Sequence, residues 1–155
     1  MVGELVAISV DVPRTSGFDG RVAEITVLKC EGRLHRCVVT GTAVGTRFVP
    51  MYDYGAALPH DLVHYVVERD HGLRWGFWGL VVAGAEFEAL NRATARRPRS
   101  IPRADDPLIA AHLEELMEAE SLAASVPADH AGVTELNARW QALGVDGRLQ
   151  LAWDQ

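Results

Sequence analysis

Three of the six histidines fall between positions 60 and 71, and two of them, His60 and His64, stand four residues apart. On a helix, side chains at that spacing share a face with Cβ atoms about 6 Å apart, so two imidazoles can reach one metal ion. Asp61 follows His60 directly, where the H-E-x-x-H motif of zinc peptidases has its glutamate. In that motif the carboxylate takes a proton from metal-bound water. Here the pattern is H-D-x-x-H, one methylene shorter, and Asp61 is the candidate base. His71 cannot join the pair, because seven helical residues set it about 10 Å along the axis from His64. A third ligand must come from another segment. Glu86 is the leading candidate, sharing an expected helical face with Val82, Ala83, Ala89 and Leu90, where a carboxylate needs a partner. Asp53 and His112 are alternatives. Glu68 and Asp53 are candidates for the shell behind the ligands. Two histidines and a carboxylate suit zinc or ferrous iron.

The elements that must hold these residues follow from the periodicity. Pro59 to His71 reads as a helix, with Pro59 suited to its first position and Gly72 to the residue just past its end. An aromatic, glycine-bearing link, Arg74 to Gly79, leads to a second helix over Leu80 to Ala93. A third begins at Asp106-Pro107 with Asp106 as N-cap, and carries Ile109, Leu113, Leu116 and Met117 on one stripe. A fourth, near Val133 to Leu143, places Val133, Leu136, Trp140 and Leu143 at helical spacing. Before these, the period is two. Leu5 to Val10, Arg21 to Lys29 and Leu34 to Val44 read as strands, with Glu31-Gly32 as a tight turn and Arg47 to Pro50 as a short further strand. Leu149, Leu151 and Trp153 alternate as a closing strand. Pro13 to Gly20 is a loop. Ala95 to Arg103 is a linker whose Arg96, Arg97, Arg99 and Arg103 are solvated or anion-binding. The expected fold is α+β: an N-terminal antiparallel β-sheet, three to four helices packed on one face, and a short C-terminal strand. One domain covers 1–155, β-rich over 1–50, helical over 59–143, with the strand over 148–153.

Bulk properties narrow the partners. The chain has 155 residues, 48% of them apolar and 23% charged, as in a globular domain. A net charge of −6 argues against nucleic acid, which selects a basic face. No apolar stretch is long enough for a membrane span, and the first residues lack a basic leader, so a cytoplasmic protein is expected. Cys30 and Cys37 sit where a bridge between them is not expected, which fits a reducing compartment. The expected partner is a small molecule or peptide, with a second copy of the chain as a further candidate.

Tyr52-Asp53, Leu58 to Glu68 (L-P-H-D-L-V-H-Y-V-V-E), Gly72-Leu73, Gly76-Phe77-Trp78-Gly79 and Ala83-Gly84-Ala85 together resemble a group of small uncharacterised bacterial proteins, many of them actinobacterial. The resemblance spans residues 52 to 87. It implies bacterial origin and a shared motif, and carries no activity with it.

Two readings compete. In one the chain is a metal-binding protein, a metal-dependent hydrolase of zincin type if it is an enzyme. In the other it is a non-catalytic domain that binds a ligand or protein. There the H-D-x-x-H helix is structural, and Asp61 simply complements the positive end of the helix dipole.

Overall fold

The computed structural model describes residues 22–55, 58–87 and 106–155. The strand expected at Leu5 to Val10, the loop 13–20 and the arginine-bearing linker lie outside them.

Three strands open the described chain: β1 (Ala23–Leu28), β2 (Leu34–Thr42) and β3 (Gly45–Tyr52). Helix α1 spans His60–Asp70 and α2 spans Phe77–Ala83. Then come α3 (Pro107–Ala111), α4 (Leu113–Ala124) and α5 (Ala131–Ala142), and strand β4 (Arg148–Trp153) closes the chain. The α+β expectation holds. The sheet is antiparallel throughout, in the order β3-β2-β1-β4. The closing strand therefore docks on β1, with Ile25 opposite Leu151 and Val27 opposite Leu149.

Alternation decides which sheet face is buried. Ala23, Ile25, Val27, Cys37, Val39, Val49, Met51, Leu149, Leu151 and Trp153 all turn inward. They join one core with Leu62, Trp78, Leu80, Ile109, Leu116, Leu136 and Trp140 of the helices. The Val, Leu, Ile and Met side chains among them each contribute about 1.5–3 kcal/mol by leaving water, before the chain entropy that opposes it. Cys37 is buried opposite Val27, Cys30 lies in the loop after β1, and both are free thiols.

Several boundaries differ from the expectations, among them the start of the second helix, at Phe77 rather than Leu80. The β1–β2 connection runs over residues 29–33 and is wider than a two-residue turn, with Gly32 at φ 92°. Pro59 stands one residue before the helix it was expected to begin. The second helix ends at Ala83, because Gly84 takes a left-handed conformation (φ 101°) and caps it. The third helix breaks at His112 into α3 and α4. Asp106 caps α3 as expected, accepting from the Leu108 and Ile109 amides. The break rephases the stripe behind it, so Ile109 and Leu116 are buried while Leu113 and Met117 are exposed.

Candidate metal centre

Helix α1 positions the histidine pair. Leu62, Tyr65 and Val66 bury one flank of it, and the other flank carries His60 and His64 toward α4. His60 is exposed, whereas His64 is almost wholly buried. Their rings meet edge to face, with centroids 4.9 Å apart. The residue facing them is Glu120 of α4. Its Oε1 lies 3.4 Å from His64 Nε2 and 3.8 Å from His60 Nε2. Three ligand atoms, one each from His60, His64 and Glu120, all lie within 4.8 Å of one another. Ligands at zinc bond lengths on a tetrahedron stand roughly 3.3 Å apart, so two of the three separations already approach that value. The donor chemistry fits as well, since two imidazoles and one carboxylate form a familiar zinc set that leaves a fourth position open.

Behind His64 stands Glu68, with no exposed surface. Its Oε2 lies 2.8 Å from His64 Nδ1 and accepts the Phe77 amide at 2.7 Å, while Oε1 accepts the Trp78 amide at 3.0 Å. Three donors thus surround one buried carboxylate, as burial of a charge requires. Burial pushes Glu68 up from its ordinary range, and the bonds from His64 and the two amides pull it back.

His64 has a carboxylate at each ring nitrogen. Burial alone would discharge it, but the bonds to Glu120 and Glu68 outweigh burial and raise it to about 10. Conversely, bonding to His60 and His64 holds Glu120 down to about 2, against its partial burial. Asp61 is half-buried at the start of α1. Burial pushes its carboxyl up to about 6, opposed by the attraction of His64 and His60 and reinforced by Glu120 and Glu68. The Trp78 indole donates to the Asp61 carbonyl at 2.8 Å, which ties the beginning of α1 to α2.

The structure brings together His60, His64, Asp61 and Glu68 of the expected set and separates two others from them. Glu86 lies beyond the end of α2, is about half exposed, and has its Oε2 3.8 Å from Arg47 Nη2. Its expected place on a continuing helix is lost where Gly84 ends α2. Asp53 serves β3 and the loop after it. Its Oδ1 accepts the Gly55 amide and its Oδ2 lies 3.9 Å from His35 Nε2. His112 stacks on Trp75 with centroids 3.8 Å apart, and His71 Nδ1 is 3.1 Å from the Val67 carbonyl. Glu120 is the residue the sequence reading missed. It stands four residues after buried Leu116 and next to buried Ala119, an acid at the margin of the buried stripe of an acidic helix. No helix among the described residues is long and apolar enough to cross a membrane.

The chain matches no protein-family model, no curated protein and no solved structure. What the geometry establishes on its own is a group of three, His60, His64 and Glu120, that could hold a metal ion.

Proposed function

We propose that this chain binds one divalent ion, zinc or ferrous iron, through His60, His64 and Glu120, and that it is a metal-dependent hydrolase. The observation that carries the reading is the convergence of the three donors from two helices. Three protein ligands leave a coordination position for water, the arrangement of catalytic rather than closed structural zinc sites. A metal there would supply an acidified, polarised water. Asp61, which follows His60 on α1, is the candidate to accept its proton. A small molecule or peptide with a hydrolysable carbonyl or phosphoryl group is the substrate class this chemistry serves.

A specific observation favours a second reading. His64 already has a carboxylate at both nitrogens, so the imidazolium can bridge Glu68 and Glu120 as a purely structural ion network. One experiment separates the two. Protein prepared without a histidine tag is titrated with zinc by calorimetry, beside His60→Ala, His64→Ala and Glu120→Ala. The metal reading expects one site per chain in the parent and none in the three variants. Absence of zinc binding by a folded parent protein leaves the structural network in its place.

A further inference from the structure

The geometry points to Glu68 as the positioning residue of this site: it selects the ring nitrogen that His64 presents to the metal and ties that ring to the start of α2. The inference deepens the metal reading and rests on it.

Glu68 has two oxygens and three N–H neighbours. The amides of Phe77 and Trp78 can only donate. An ionised Glu68 can only accept, and His64 Nδ1 is then the donor of the 2.8 Å contact with it. Its retained proton is then on Nδ1, and a metal displaces the other proton from Nε2, the atom facing Glu120. A carboxylate behind a ligating histidine also makes the ring a stronger base and holds its plane.

The approach of α2 is as specific as the hydrogen bonds. A Cβ added to Gly76 would stand 2.4 Å from the Glu68 carboxyl carbon and 2.6 and 2.8 Å from its two oxygens. A glycine is what allows the backbone to close over this carboxylate. Gly79 is under the same kind of constraint within the turn, since a Cβ there would lie 1.8 Å from the Arg74 carbonyl oxygen. The two glycines of Gly76-Phe77-Trp78-Gly79 are thus steric conditions for seating α2 against Glu68. Buried Trp78 returns the contact by bonding the Asp61 carbonyl. Metal ligand, carboxylate and helix start form one connected unit.

The test uses zinc and the whole chain. Nitrogen-15 correlation spectra of the imidazoles report the tautomer directly. In the zinc-loaded parent, His64 should carry its proton on Nδ1 and coordinate through Nε2. Glu68→Gln keeps the shape but replaces one acceptor oxygen with a donor. It should lower zinc affinity by about 10- to 100-fold and let the Nδ1 proton exchange rapidly. Gly76→Ala, which pushes on the carboxylate and leaves its charge, should do the same more weakly. Coordination of His64 through Nδ1 in the parent would overturn the inference, and needs no variant to fold. Parent-like affinity and parent-like proton exchange in a folded Glu68→Gln protein would overturn it too, while leaving the metal reading standing. Failure of the parent to bind zinc removes both.

Discussion

His64 Nε2 on α1 and Glu120 Oε1 on α4 stand 3.4 Å apart, and a divalent ion between them would have to take the place of a proton. His64 is held charged up to about pH 10 by its two carboxylates, despite its burial. Metal and proton are then competitors for one lone pair. Between pH 7 and 9 zinc affinity should rise about tenfold per pH unit, the mark of one proton released per ion bound. Calorimetry in buffers of different ionisation enthalpy measures that proton directly. A pH-independent affinity over this range would mean that the ion does not bind at His64 Nε2.

Asp61 is predicted to cost stability and to be retained for chemistry. A carboxyl raised by burial to about 6 favours the folded state when protonated. Its folded value lies above the unfolded one, so stability is present at low pH and is lost as pH rises through about 6. A shift of two units corresponds to at most about 3 kcal/mol. The helix dipole works the other way, since Asp61 lies in the first turn of α1, but there it is worth only about 0.3–1 kcal/mol. Burial wins, and Asp61→Asn should stabilise the metal-free protein by about 1–2 kcal/mol at pH 7.5. Denaturant unfolding checks this, and the gain should vanish at pH 4. Any hydrolytic activity should fall at least about 100-fold in the same variant. A variant less stable than the parent at pH 7.5 would contradict the burial argument.

Glu86 and Glu120 separate what the sequence discloses from what it does not. Alternation over β1 and β4 and the 3.6-residue spacing of α1 and α5 are local signals, and the elements appear where those signals are. The His60–His64 pair is equally local. The third ligand is not, because it depends on which helix packs across α1, and no periodicity encodes that choice. The expectation for Glu86 took Leu80 to Ala93 as one helix, although Gly84 is the residue type that ends helices in a left-handed turn. Glu120 was hidden among Glu114, Glu115 and Glu118 on the same helix, and only its place beside buried Leu116 and Ala119 marks it out. Glu120→Ala should abolish zinc binding, whereas Glu86→Ala should change affinity by less than about twofold, since Glu86 meets exposed solvent and Arg47 instead. The reverse result in zinc titrations would restore Glu86 as the ligand and displace Glu120.

Strand β4 is an edge of the described sheet and is paired there with β1 alone. Lys29, just after β1, sends its Nζ to the carbonyls of Trp140 and Leu143 at 2.9 and 3.1 Å. These carbonyls lie at the C-terminal end of α5 and its capping residue, where the negative end of the helix dipole stands; the Trp140 carbonyl also accepts the Leu143 amide at 3.2 Å. The same ammonium lies 4.8 Å from the centre of the Trp140 ring. The Lys29 backbone completes the joint, donating to the Gly147 carbonyl at 2.9 Å and accepting the Asp146 amide at 2.7 Å. One residue therefore clamps the end of α5, the turn after it and the start of β4. Lys29→Met keeps the aliphatic stem and the backbone bonds, and removes only the charge. Loss of two bonds from a charged donor at the negative end of the helix dipole should cost about 2 kcal/mol. For a chain of this length that is about 4–8 °C in melting temperature. Lys29→Arg, which keeps the charge, should lose less than half as much. Thermal unfolding of the three proteins at pH 7 decides it. A Lys29→Met protein within 1 °C of the parent would mean that the ammonium adds nothing to this joint beyond its stem.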